Sequence, residues 1–402
     1  MSYTFIPNKQ QQDALEDMLR WWKKDDLSQV YELSGRPGTG KTTLVKYFIE
    51  KAGIKDNEFA LCAFTGKATL QLIRKGNYAK TIHSTFYTLV DELEYDEDGK
   101  LKKLYGKLKK KKVFKIKPSK EILAGGLKLI IIDEGRMVGK KIAEDLLGLG
   151  IKVLVMGDID QLPPVLDAAY FLINPNRHLT EIMRQAEGDP IVTVSHKLIN
   201  GERLEFGKYG DNVLVIPYEN INEQLLTNAD VLLASRNRTR DNINNTIRYE
   251  INKRENADPT IGDKVICRQN DWGLSLYEDG TEISLVNGMS GSITNVYKET
   301  YLKNTIEIDF QPDFTKGYFE HLEINHGYYT GNFEQRASIK SSFKPAGHLV
   351  EQGDCITVHL SQGSEYPFVC YFLENYGWNR RFMNQLHYTA ATRAQNKLVI
   401  VQ

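Results

Sequence analysis

The segment that most constrains the fold is "SGRPGTGKTT", Ser34 to Thr43, lying between the alternating run "QVYEL" and the helix-patterned run "LVKYFIEKAG". Its core fits G-x-x-x-x-G-K-[ST], with Gly35, Gly40, Lys41 and Thr42 at the fixed positions. The glycines let backbone N–H groups curl around phosphate oxygens where a Cβ would clash. A simple turn has no use for the lysine. A phosphate pocket does: Lys41 would reach the β- and γ-phosphates, and the Thr42 hydroxyl would hold Mg²⁺. Pro37, Gly38, Thr39 and Thr43 complete the loop around a bound nucleotide. The strand before and the helix after, stopping at Gly53, would aim a helix N-terminus at the phosphates.

Such a loop needs a carboxylate to orient magnesium and water. The apolar run Leu127 to Ile132 reads as a buried parallel strand ending in Asp133 and Glu134. Asp133 at its carboxyl end would hold Mg²⁺ through water, and Glu134 would be the general base for the attacking water. An acidic pair after a strand also reads as a helix N-cap.

Composition narrows the class. Hydrophobic content of 41% and charged content of 26% are ordinary for a globular chain, and no apolar run reaches a membrane span. The N-terminal "MSYTFIPNKQQQDALEDMLRWW" lacks the features of a secretory signal. Cys62, Cys267, Cys355 and Cys370 form no C-x-x-C pair, which argues against a zinc site or a disulfide framework and for a cytoplasmic setting. The formal net charge is zero, so an anionic partner must be met by local patches.

Phosphate chemistry leaves kinases, GTPases, transporters and motors open. The later segments "LCAFTGKAT", "TIHSTF", "VLVMGDIDQLPPV", "EIMRQ", "ITVHLSQGSEY" and "QLHYTAATRAQNKLVIV" narrow the choice. With these motifs in this order, from about residue 7 to residue 401, the chain resembles a superfamily-one DNA helicase of the RecD/Dda-like branch, which includes the Pif-type helicases. The resemblance implies two RecA-like α/β domains, ATP and Mg²⁺ as cofactors, and 5′ to 3′ movement on single-stranded DNA. It implies that Gln11, or Gln10 in a blurred register, recognises the adenine edge and that Gln161 senses the γ-phosphate. Arg184 and Arg393 would be arginine fingers reaching across a cleft between domains, with Gly363 and Glu365 lining the nucleotide. Phe64, Thr65, Gly66, Lys67, Thr81, His83, Ser84, Asn237, Thr357 and His359 would meet the DNA strand.

Each role has a plainer counterpart. Arg393 lies in a helix-like run, where arginine is ordinarily a surface residue. His83 fits a turn or strand end, Gln11 a surface glutamine, and Phe64 a core position as well as a stacking platform. The chain also departs from the family pattern: Leu360 stands where a lysine is common, Gly135 and Arg136 follow the acidic pair, and Phe64 replaces a proline.

The expected organisation is a first RecA-like domain over residues 1–185, interrupted by an insertion at 88–122. A second occupies 186–262 and 346–402, with a small SH3-like β-barrel inserted at 263–345. From Lys100 to Lys120 there are eleven lysines in 21 residues, which suits phosphate contact, and the branch resemblance makes this insertion a strand-splitting pin. "DEDGK" ahead of it carries an Asp-Gly turn signal. The function expected is ATP-dependent DNA unwinding in replication, recombination or repair by a cytoplasmic monomer. Its partners would be single-stranded DNA, single-strand/duplex junctions and a single-strand-binding or replisome protein. A DNA-dependent ATPase that remodels protein–DNA complexes, and an RNA helicase, stay open.

Overall fold

The computed structural model describes residues 6–402 apart from 25–27, 75, 94–102, 105–106, 109, 164–168, 182–187, 279–280, 298–302, 314, 342–344 and 378. The chain divides into two compact units, Met1–Ile159 with Pro163–Met183, and Asp160–Leu162 with Arg184–Gln402.

The first unit is built on a six-stranded parallel sheet in the order Arg177–Leu179, Val30–Gly35, Lys152–Gly157, Leu129–Asp133, Phe59–Ala63, Lys80–Thr81. Its central strands read as continuous apolar runs because both faces are covered. Ile130 and Ile132 point to one core, Ile131 and Leu129 to the other. Helix Lys41–Ala52 buries Leu44, Val45 and Phe48, each worth about 1.5–3 kcal/mol when fully removed from water. It ends on Gly53 in the left-handed conformation, as a glycine C-cap does.

At two glycines an added Cβ would force a neighbouring side chain to shift. A Cβ on Gly135 would lie 2.1 Å from Val155 Cγ1, and one on Gly157 would lie 2.5 Å from Leu172 Cδ1. Gly135 in the acidic-pair turn thus lies tight against its neighbouring strand.

The insertion leaves the sheet after helix Ile82–Phe86 as an antiparallel pair, Tyr87–Leu93 with Lys110–Ile116. At its root the His83 ring sits 4.6 Å from Phe114, 5.3 Å from Tyr87 and 5.9 Å from Phe64. The "DEDGK" turn falls outside the described residues.

The second unit has its own six-stranded sheet, in the order Gly207–Tyr209, Val213–Ile216, Ala394–Val401, Tyr366–Phe372, Val231–Ala234, Cys355–Thr357. All pairings are parallel except the first. Helices Pro190–Ile199 and Arg380–Ala391 cover one face and Asn237–Asn245 contributes to the other side. The chain between Asn245 and Cys355 includes a five-stranded antiparallel sheet, in the order Phe319–Asn325, Thr305–Pro312, Ser290–Tyr297, Lys264–Cys267, Val350–Gln352. A hairpin, Asp271–Glu278 with Thr281–Leu285, accompanies it.

This sheet is tied to the unit by charge. Glu351, only 2% exposed, has Arg268 at 3.1 Å, Arg240 at 3.3 Å and Arg336 at 3.5 Å. Asp241 takes Nη2 of Arg240 at 2.7 Å and shares Nη1 of Arg336 with Glu351, at 3.1 Å. Arg240 and Asp241 belong to the helix that Asn237 begins.

Candidate functional site

The phosphate loop lies between strand Val30–Gly35 and helix Lys41–Ala52, with Gly38 and Gly40 at φ of 77° and 75°. Those left-handed angles turn successive backbone N–H groups inward, and side-chain-bearing residues adopt them rarely. A Cβ on Gly35 would come 2.8 Å from Thr39 Oγ1. The Lys41 ammonium donates to the carbonyls of Gly35 and Arg36, so the cation lies folded back on the loop itself. Pro37 is half-buried, Thr39 is buried with its hydroxyl on Arg36 O at 2.7 Å, and Thr42 and Thr43 stand in the first helical turn.

The glutamine run separates here. Gln11 is fully buried, donates from Nε2 to Thr39 O at 2.9 Å and accepts from Asn8 N at 3.0 Å, closing a capping box. Gln10 instead binds the chain at Thr180, through the hydroxyl at 3.1 Å and the N–H at 2.9 Å. Gln11 is the one that supports the loop, and it is not a surface glutamine.

Asp133 ends its strand, and its Oδ1 accepts the Glu134 N–H at 3.0 Å. Glu134 stands in the left-handed region at φ 51°, ahead of the 3₁₀ turn Gly135–Met137, and makes no side-chain cap. A non-glycine residue held there is strained, a feature that concentrates at functional turns. Arg136 donates to Ile159 O, so this departure from the family pattern fixes the end of the neighbouring "VLVMGDI" strand. Ile159 N in turn donates to Ser34 Oγ at 3.2 Å.

The next three residues, Asp160 to Leu162, belong to the second unit. Leu162 N donates to Thr389 Oγ1 at 2.9 Å, and Gln362 Nε2 donates to Leu162 O at 2.9 Å. Gln161 is buried within this tripeptide. Pro164 and Val165, with Arg184, lie outside the described residues.

Arg393 is placed differently from its sequence expectation. The helix ends at Ala391 and a strand begins at Ala394, so Arg393 sits in the junction, and it is 4% exposed rather than on a helix surface. Its Nε, Nη1 and Nη2 donate to Thr389 O, Ser364 O and Thr392 Oγ1, at 3.1, 3.0 and 3.1 Å. The strand Ala394–Val401 is held between two parallel partners, and that pairing overrides the helical pattern. Gly363 is buried at φ 72°, and Glu365 accepts from Gln395 at 3.0 Å.

Several of the residues expected at the DNA strand have local structural duties. Thr65 accepts from Ala68 N ahead of helix Gly66–Arg74, and Thr81 caps helix Ile82–Phe86 by accepting from Ser84 N at 3.1 Å. Lys67 lies on the first of these helices. His83 is packed in the ring cluster with half-buried Phe64, and burial pushes its pKa down, keeping it neutral near pH 7. His359 stacks at 29° on Phe382 and is lowered by the same cause. Thr357 ends its strand and accepts Leu360 N at 2.9 Å, while Leu360 packs against the core where the family pattern has a lysine. Asn237 opens its helix half-exposed beside Arg236.

One feature escaped the sequence. Residues 160–162 carry no pattern that reveals their packing against Thr389 and Gln362, because those partners lie more than 190 residues away.

The chain matches two family models, an AAA domain over residues 7–216 and a UvrD-like helicase C-terminal domain over residues 352–401. It is 31% identical over 211 residues to the ATP-dependent RecD2 DNA helicase of Deinococcus radiodurans, covering 50% of this chain and 26% of that protein. The chain thus spans about a quarter of the length of that relative. Its fold is similar to a Pif1 helicase solved as two coordinating copies on forked duplex DNA (TM-score 0.51, 20% identity, 98% of this chain and 92% of that one). It is similar also to a Bacteroides Pif1 helicase in complex with ADP-AlF3 and single-stranded DNA (TM-score 0.51, 18% identity, 99% and 92%). The AAA-domain match covers more than half of the chain and the UvrD-like helicase match covers its C-terminal segment; the chain belongs to this AAA-domain family.

Proposed function

We propose that the protein is an ATP- and Mg²⁺-dependent DNA helicase that moves 5′ to 3′ on single-stranded DNA and unwinds duplexes. The observation that carries this reading is the route of the chain from Ile159 to Leu162. Ile159 is tied to Ser34 and Arg136 of the unit that holds the phosphate loop. Leu162 is tied to Thr389 and Gln362 of the other unit. Gln161, the γ-phosphate sensor in this reading, lies between those anchors. In this reading a change at the phosphate would reach both anchors along the chain itself, as a translocating motor requires.

In this reading Lys41 binds the β- and γ-phosphates, Thr42 and Asp133 would hold the magnesium ion, and Glu134 takes the proton of the attacking water. The left-handed glycines and the threonine at the helix start suit that ion, which keeps most of its ligands from water and phosphate. When bound, the ion supplies neutralisation of the charge on the transferring phosphoryl group. Arg184 and Arg393 add guanidinium charge in the transition state, worth about 10³–10⁵ in rate for such residues. Gln11 holds the loop through Thr39, and its amide would read the adenine edge.

The proposal extends to the domains. Residues 1–185 form one RecA-like domain, and 186–262 with 346–402 the other. Residues 263–345 form an SH3-like barrel, and 88–122 the strand-splitting pin. The antiparallel pair rooted on His83 supports the pin. Single-strand/duplex junctions, a single-strand-binding or replisome partner, a monomeric state and a cytoplasmic or nucleoid location complete the reading.

The test is ATP turnover with and without an oligonucleotide, followed by unwinding of duplexes tailed at one end. DNA-stimulated turnover and unwinding of the 5′-tailed substrate alone is the expected result. Unwinding of the 3′-tailed substrate alone overturns the polarity, and turnover indifferent to DNA overturns the motor.

A further inference from the structure

At the carboxyl end of the second unit's sheet is a cavity of about 820 Å³, reached by Leu373 and Gln402 at the ends of two neighbouring strands. That volume falls in the range of small-ligand clefts, and the carboxyl rim of a parallel sheet is where α/β folds place ligands.

A buried polar chain reaches its lining at His387 and Asn375. Ser235 Oγ lies 3.0 Å from Tyr371 Oη, which lies 2.6 Å from His387 Nδ1, and His387 Nε2 lies 3.1 Å from Asn375 Oδ1. Ser235, Tyr371 and His387 are all at most 5% exposed. With His387 neutral, its Nε2–H donates to Asn375 and its Nδ1 accepts the tyrosine hydroxyl. The chain therefore fixes the Asn375 amide, whose Nδ2 has no protein partner among the described residues. Beside it, Asn384 donates to Ile199 O at 3.2 Å, leaving its Oδ1 as an acceptor. One fixed donor and one fixed acceptor share the lining.

The walls add stacking and charge. Phe206 lines the cavity at 60% exposure, and Tyr376 carries the Arg236 guanidinium 4.2 Å over its ring. Arg203 and Arg380 line the cavity with no acidic partner among the described residues. The acid in the lining, Glu202, faces Lys197 at 3.5 Å. Tyr376 also donates to Ser235 O at 3.1 Å, which joins this wall to the turn that leads into Asn237.

We propose that this cavity receives one nucleotide of a single-stranded nucleic acid. Its base edge meets Asn375 and Asn384, its base stacks on Phe206 or Tyr376, and its phosphates meet Arg203 and Arg380. The pairing of aromatic faces, an oriented amide pair and unmatched guanidiniums is the chemistry of base stacking with edge recognition. A protein segment is the other occupant such a cleft admits, and the unmatched positive charge favours the polyanion. The inference rests on the helicase reading for its ligand and extends it to a subsite.

The test crosslinks wild-type protein to an oligothymidylate carrying 5-iodouracil and maps the adducts by mass spectrometry. Adducts on Phe206 or Tyr376 are expected. In parallel, oligonucleotide affinity is measured by anisotropy for Phe206→Ala and for the Arg203→Ala/Arg380→Ala double variant. Roughly tenfold weaker binding is expected for the first, the usual effect of losing one stacking platform. The double variant should show a salt dependence shallower by about 0.7 in slope for each phosphate that is no longer neutralised. Adducts confined to other peptides, with both variants at wild-type affinity and slope, hand the cleft to a protein segment and overturn the proposal. In that case DNA-stimulated turnover by the wild type still upholds the motor. Wild-type protein that neither binds nor crosslinks to the oligonucleotide overturns both.

Discussion

Leu162 donates its backbone N–H to Thr389 Oγ1 at 2.9 Å, and Thr389 passes its own hydroxyl proton to Gln385 O at 2.7 Å. This buried bridge fastens the "DQL" segment to helix Arg380–Ala391. Thr389→Val keeps the volume and removes the acceptor. The expected cost is about 1–3 kcal/mol for a buried N–H left unpaired, read as a lower midpoint in denaturant. If the segment transmits nucleotide state, unwinding per ATP hydrolysed falls more than turnover itself. A variant with both rates lowered equally would show that the bridge is only structural.

Lys41→Ala removes the charge that the phosphate loop supplies. ATP hydrolysis should fall by more than about a hundredfold, because a preorganised cation at the transferring phosphoryl is lost. The melting temperature should hardly change, since among the described residues the ammonium hydrogen-bonds the Gly35 and Arg36 carbonyls of its own loop. Steady-state turnover and a thermal melt check both halves.

Gly135→Ala places a methyl 2.1 Å from Val155 Cγ1 in a close-packed sheet. Overpacking of this kind costs about 1–3 kcal/mol. The variant should melt lower and lose activity together. A Val155→Ala/Gly135→Ala pair, which reopens the space, should recover part of the loss.

Burial pushes His387 down to about 4 from 6.5. The folded state then binds fewer protons than the unfolded chain between those values, so stability rises with pH across that window. It is fully present above about pH 6.5 and falls by up to about 3 kcal/mol as pH drops toward 4. Asp354, raised to about 6 by burial, acts with the opposite sign over much of the same range. The measurement is therefore the difference between wild type and His387→Gln in melting temperature from pH 4.5 to 8. That difference should close as the pH falls, and a constant difference would refute it.

Local chemistry is the legible part of this fold. The turn from Gly35 to Thr42, the stop at Gly53 and the apolar strand before Asp133 are each set by neighbours in the chain, and the structure forms them there. Tertiary partners decide the rest. Ala394 to Lys397 reads as the end of a helix-like run because no glycine or proline marks the break, and parallel partners make it the start of a strand. The run Gln10–Gln12 cannot say which amide faces the loop until the helix fixes Gln11 toward Thr39. Asn375, His387 and Arg203 meet at one cavity from three separate segments, and no spacing in the sequence announces it.

Glu351 binds three guanidiniums, and two of them join the helix that begins at Asn237 to the helix Phe333–Ser341 beside the five-stranded sheet. That arrangement makes a rigid lever. A polynucleotide tugging on the start of the Asn237 helix would load the five-stranded sheet as well, since swivelling the two apart would strand buried charge in a medium that cannot screen it.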